Sequence, residues 1–226
     1  MQLSLESLLH LFNSFHAGTR YHCLANFVAA TGTATFTDGS SNIVVSGGHN
    51  LVLGNRIRFS GSPPAPFNTS TTYYVVEVVN TTTFRVATSP TGSAVAATAN
   101  GSANYTEQLL NGCDPLRVWV KHELNVSGYS RLEFTYPEAI YNATQRVVTC
   151  TPVSLSRTGT NLVYSHAFVV AGGNSTPRDT TGRLEYWQAF SGVQVVEASQ
   201  TALYTITPRF ALIAADTTGL NPCSEG

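Results

Sequence analysis

Beyond Thr31 the sequence is punctuated: strand-like runs of three to nine residues alternate with clusters of Gly, Pro, Asn and Ser. Turn signals about every 8–12 residues commit a chain to short strands joined by tight loops. Thr33-Ala34-Thr35-Phe36-Thr37 alternates in polarity, and Asp38-Gly39 supplies a hairpin turn. Ile43-Val44-Val45 follows, ended by Gly47-Gly48, and Arg56-Ile57-Arg58-Phe59 alternates again. Pro63-Pro64-Ala65-Pro66 reads as a rigid extended loop. Residues 73–79 are the strongest strand, and Phe84-Arg85-Val86 returns after a turn at 80–83. Residues 31–104 therefore read as a small β-barrel or sandwich of five or six strands.

The remainder reads as a larger β-domain. Residues 116–124 alternate in polarity and are expected as a strand, and 132–136, 146–150 and 162–170 follow. Further runs lie at 184–190, 193–196, 203–206 and 210–213. About eight strands suit a β-sandwich or jelly roll. One segment departs from this texture. In residues 2–15, Leu5, Leu8, Leu9, Phe12 and Phe15 recur at helical spacing, with Ser4 to cap the start and Gly18 to stop it. The apolar stripe either packs on the chain's own β-core or docks on a neighbouring subunit. The expected fold is all-β, with residues 1–30 and 105–226 forming the main domain, 31–104 inserted into it, and one short N-terminal helix.

Only 11% of residues are charged, against about 25% in an average globular protein, so the surface is built of hydroxyls or covered by neighbours. The net charge of −1 gives no field to attract nucleic acid or an anionic membrane. No apolar run reaches the length of a membrane span, and residues 1–15 make a poor signal peptide, with Glu6 inside the apolar part. Of the 12 basic residues only Lys121 is Lys. Arginine suits bidentate, partly buried contacts, as expected of a protein in permanent contact with others. Cys23, Cys113, Cys150 and Cys223 lie far apart, without zinc-ligand spacing. They read as mainly free thiols, at least two of them, with a Cys113–Cys150 disulfide as the other reading. Seven Asn-X-Ser/Thr triplets are read as by-products of a Thr- and Ser-rich composition.

Several pieces of 31–104 fall in an order that carries a resemblance. They are Gly48-His49-Asn50-Leu51-Val52-Leu53-Gly54-Asn55-Arg56-Ile57, Pro63-Pro64-Ala65-Pro66-Phe67, Thr72-Tyr73-Tyr74-Val75-Val76, Thr83-Phe84-Arg85-Val86-Ala87 and Asn100-Gly101-Ser102. The segment resembles a small β repeat domain found in bacteriophage structural proteins and in large bacterial surface proteins. The resemblance implies an interaction or spacer domain, and it carries no catalytic residues over. Gly54 is expected to take a positive φ. Tyr73 and Tyr74 point to opposite faces of one strand, and the outward one, beside Arg56 and Arg58, suits contact with protein or sugar.

No catalytic constellation emerges. His122-Glu123 lacks a second His at metalloprotease spacing, and nothing selects Glu133, Glu138, Glu185 or Glu197 as a glycosidase pair. The expectation is a non-enzymatic bacteriophage virion protein without cofactor or metal, made in the bacterial cytoplasm. It would be an assembly or decoration subunit of tail, baseplate or neck. Its partners would be other virion proteins and copies of itself, with no nucleic acid and no membrane. The interaction candidates are Leu5, Leu8, Leu9, Phe12, Phe15, Arg56, Arg58, Tyr73 and Tyr74. The alternatives are a capsid decoration (cement) protein and a carbohydrate-binding adhesin module, which would meet a host-surface glycan through Tyr186-Trp187-Gln188, Tyr129 or Trp119.

Overall fold

The computed structural model describes residues 18–137, 139–142, 147–158, 161–206 and 209–211. The fold is all-β with a small closed barrel. The expected N-terminal helix, with Leu5, Leu8, Leu9, Phe12 and Phe15, lies outside the described residues. The described residues fall into two compact units, one taking those up to Asn26 and from Glu123 onward, the other Phe27–His122. The second unit is wider than the 31–104 of the sequence pattern.

The smaller unit is a six-stranded barrel built from β2 (Thr31–Phe36), β3 (Ile43–Val45), β4 (Arg56–Ser60), β5 (Tyr73–Asn80), β6 (Thr83–Ala87) and β7 (Gly101–Glu107). Its closed order is β2-β3-β6-β5-β4-β7. Alternation drives the closure: Ile57 and Phe59 of β4, Tyr73 and Val75 of β5, Phe84 and Val86 of β6 and Tyr105 of β7 all turn inward. Phe36, Phe59, Phe67 and Tyr73 stack at centroid distances of 4.9–5.5 Å, within the range where ring pairs add to simple burial. Buried His49 ties the turn after β3 to the end of β5. Its Nδ1 accepts from the Leu51 amide at 2.9 Å, so its Nε2 carries the proton and donates to the Asn80 carbonyl at 2.8 Å. Gly54 has φ +90°, and a Cβ there would lie 2.5 Å from Pro115 Cγ, so both backbone and packing require glycine.

Residues 116–124 correct the expected strand. Leu116–His122 form α1, the one helix among the described residues. Pro115, whose fixed φ suits a first helical turn, stands directly before it, and the Asp114 carboxylate is held by Arg56 and the Asn111 amide. Val118, Trp119, Val120 and His122 are all buried, which a two-residue period does not allow. The Trp119 indole donates to the Asn111 carbonyl at 3.2 Å.

One carboxylate clasps the two ends of this unit. Glu107, at the end of β7, is buried and accepts from the Ala30 amide at 2.9 Å, from Lys121 Nζ at 2.6 Å and from His122 Nε2 at 2.9 Å, as well as from the Asn55 side-chain amide. Phe27 lies 4.7 Å from the His122 ring. The chain thus enters and leaves the unit at the same carboxylate.

The larger unit centres on β1 (Arg20–Ala25), in which all six residues are buried. It lies between β8 (Leu132–Phe134) and β12 (Leu162–Ala171), and β12 pairs onward with the edge strand β13 (Arg183–Val196). Every pairing in this four-stranded sheet is antiparallel. A ribbon of β11 (Val153–Thr158) and β14 (Thr201–Ile206) stacks on it in sandwich fashion, with Leu155, Tyr204 and Ile206 against Phe134 and Val169. A three-stranded sheet combines β9 (Ala139–Asn142), β10 (Val147–Cys150) and β15 (Arg209–Ala211). Cys23 is a free, buried thiol, whereas Cys113 is disulfide-bonded, which corrects the reading of the cysteines as mainly free thiols.

The Glu107 clasp makes a pH prediction. Burial alone would raise this carboxyl, but the hydrogen bonds and charges of His122 and Lys121 outweigh it and hold the group below its ordinary value. Its contribution to stability is therefore present above the unfolded Glu value and is lost as pH falls through the lower folded one. Glu107→Gln should destabilise the chain by about 3–5 kcal/mol at neutral pH. It should also flatten the loss of stability on acidification, read by urea denaturation at a series of pH values.

Candidate functional site

The barrel residues singled out from the sequence separate into core and surface. Tyr73 pairs with Ile57 and faces inward, 1% exposed, its hydroxyl accepting from the Asn68 amide. It belongs to the core and is withdrawn as an interaction residue. Tyr74 pairs with Arg56 and is half-buried on the outer face. Arg56 is drawn into the barrel's own structure: its guanidinium meets Asp114 at 2.8 Å and 3.3 Å and donates to the Leu109 carbonyl. Arg58 is exposed and donates to the Thr72 hydroxyl at 3.1 Å. The barrel's candidate surface thus reduces to Arg58 and Tyr74.

Two of the aromatics considered for glycan contact are also internal. Trp119 is fully buried, and the Tyr129 hydroxyl accepts from the Leu24 amide and donates to Glu123. Tyr186 and Trp187 of β13 are 51% and 37% exposed.

Strand β13 is the most open element of the larger unit. Among the described residues it has one hydrogen-bonded neighbour, β12, and no strand pairs with its outer edge. Along it Tyr186, Trp187, Val193 and Val195 are all exposed. A long, apolar, unpaired edge is a template for another strand unless something covers or interrupts it. Two irregularities shape this one. Between the pairs Tyr164–Gln194 and His166–Ala189, residues 190–193 stand opposite Ser165 alone. Between Val169–Tyr186 and Val170–Leu184, Glu185 is the extra residue. Bulges re-aim side chains, and Glu185 here forms a two-pronged pair with buried Arg20, 3.1 Å at each contact. The Arg20 guanidinium also lies 5.1 Å from the Tyr136 ring centroid.

The loop between β12 and β13 is held just as firmly. Glu123 and Arg131 are both fully buried and paired, Nε to Oε1 at 2.8 Å and Nη2 to Oε2 at 2.7 Å. Arg131 also donates to the carbonyls of Asn174 and Asp179, at 3.3 Å and 2.8 Å. The Arg178 amide, at a residue with φ +63°, donates to Glu123 Oε2. Its guanidinium reaches the Glu123 carbonyl at 3.1 Å. Burial opposes the Arg131 charge, but its bonds to Glu123 more than compensate and raise it above the ordinary value. The result is a polar loop, residues 172–182, fixed from beneath by one ion pair.

Sequence reasoning did not find Glu107, Glu123 or Arg131. A faint signal was available, since a chain this poor in charge has few ions to spend on its surface. Arg20, Arg56, Arg131 and Arg157 are spent inside the fold, so the arginine bias serves internal pairing before any external contact. Among the described residues no group of three His, Cys, Asp or Glu side chains is arranged to hold a metal ion. No protein-family model matches the sequence, and no curated protein matches it.

Arg131→Ala would leave Glu123 buried without its counter-charge and free the loop. It should cost about 3–5 kcal/mol in denaturant unfolding and speed amide exchange in residues 172–182 ahead of β1.

Proposed function

We propose that this chain is a non-enzymatic bacteriophage structural subunit that joins larger virion proteins through the open edge and exposed aromatics of β13. The observation that carries the reading is that edge, unpaired among the described residues and bearing the exposed side chains of Tyr186, Val193 and Val195. Of the devices that blunt such a strand, Lys and Pro are absent from β13, and its two irregularities leave residues 186–189 in regular pairing. The low charge of the chain supports the same reading. So does the resemblance of residues 31–104 to a repeat domain of phage structural proteins, which would make the barrel a spacer or second contact presenting Arg58 and Tyr74. Tail, baseplate or neck is the preferred position, and a capsid decoration subunit is the nearest alternative.

A second reading rests on the same two aromatics. Tyr186 and Trp187 offer stacking surface of the kind that sugars use, beside a fixed polar loop. Trp119 is buried and Trp187 exposed, and they are the only two tryptophans. Soluble glycans that bind here would therefore shift the emission of Trp187 while leaving Trp119 unmoved.

Trp187→Lys separates the readings. The assembly reading predicts that the isolated chain still folds and that incorporation into particles is lost in a complementation experiment. Normal incorporation of Trp187→Lys, with glycan-dependent emission in the parent chain, would favour the adhesin instead.

A further inference from the structure

The layer between the four-stranded sheet and the β11–β14 ribbon holds an arginine whose charge is not answered in the usual way. Alternation along β11 turns Val153, Leu155 and Arg157 inward, so a guanidinium occupies a position where the pattern calls for an apolar side chain. Arg157 is 5% exposed. Its two terminal nitrogens donate to backbone carbonyls, those of Ser130 and His22, and its plane lies 4.8 Å from the Tyr129 ring centroid. Its Nε–H has no hydrogen-bond partner. Among the described residues no carboxylate lies within ion-pair distance of it.

His22 sits in the same layer and is also buried, and its Nδ1 has no partner either. Its ring packs against Tyr204 at 4.6 Å, and the Tyr204 hydroxyl is engaged with Tyr164 at 3.0 Å. Burial, aided by the Arg157 charge, pushes the imidazole down to about 3, so the ring is neutral at ordinary pH and offers one N–H. In the tautomer with the proton on Nδ1, that N–H is a second unused donor beside the guanidinium.

Arg131 stands in contrast. Both arginines are buried in one unit, and Glu123 is committed to Arg131 through both its oxygens. Burial pulls the Arg157 guanidinium below its ordinary value against the opposing influence of Tyr129, Tyr204, Cys23 and Glu123, whereas Arg131 is raised. The three groups Arg131, Glu123 and Arg157 leave one positive charge over. A buried charge persists when it is paired and hydrogen-bonded, and Arg157 meets only half of that requirement.

We infer that Arg157 Nε and His22 Nδ1 form an internal binding site for a small monovalent anion of halide size. The site lies between sheet and ribbon, and the enclosure of both residues excludes phosphate esters and carboxylate side chains of a partner. The anion would act as a structural ion that fixes β11 against β1.

Crystals of the full chain grown in bromide test this directly. One anomalous peak within hydrogen-bond distance of Arg157 Nε is expected. A water molecule there, with no bromide signal, would overturn the inference. In solution, replacing gluconate by chloride at constant ionic strength should raise the melting temperature saturably. Arg157→Met should abolish that rise. An equal response to both salts would mean general screening and would likewise overturn the site. Should Arg157→Met fail to fold, the bromide crystal of the unaltered chain still decides.

Discussion

The ion pair between Glu123 and Arg131 is the constraint on which the larger unit depends. Both groups are fully buried and richly bonded: the carboxylate also takes Tyr129 and the Arg178 amide, and the guanidinium takes two loop carbonyls. Desolvating two ions is costly, and the pair persists only because its geometry is complete. What it secures is position. Tyr129 is held against the backbone of β1, Glu123 itself bridges to Ala25, and the hairpin from which β13 departs is fixed at its tip. The Arg20–Glu185 pair then anchors the first residues of β13 to the opposite side of β12. The open edge is thus presented by a rigid scaffold, the arrangement in which an exposed strand can serve as a specific contact.

The barrel uses the same economy. Glu107 does for Phe27–His122 what Glu123 does for the larger unit, gathering the entering and leaving chain at one buried carboxylate. Few charges are present, and six of those described, Arg20, Glu107, Asp114, Glu123, Arg131 and Arg157, are buried inside the fold. Outer faces are left to Thr, Ser, Asn and scattered apolar side chains. In the proposed role, recognition on such a surface would rest on shape, strand edges and aromatic contact.

Much of this was legible in the sequence where period-two alternation met turn residues. Arg56-Ile57-Arg58-Phe59 and Tyr73-Tyr74-Val75 fold as their patterns dictate, and Gly54 takes its left-handed conformation. Three failures have physical reasons. Residues 116–124 mimic a strand because β-branched residues flank Trp119, but the Pro115 start signal prevails and the segment is α1. Ser191-Gly192 reads as a break between two strands, whereas it lies in a bulge within the single strand β13. Strand β11 escaped notice because its third inward position is Arg157. The pairing of Arg20 with Glu185, 165 residues apart, depends on sheet order, and local pattern carries no trace of it.

In the proposed role β13 meets another chain in the assembled particle. Hydrogen exchange of the full chain, free and within purified particles, addresses this most directly. The amides of residues 183–189 that face the open edge should exchange rapidly in the free protein and become strongly protected on assembly, while those of β1 stay protected in both. Equal exchange of β13 in the free and assembled states would contradict the assignment of this edge as the contact.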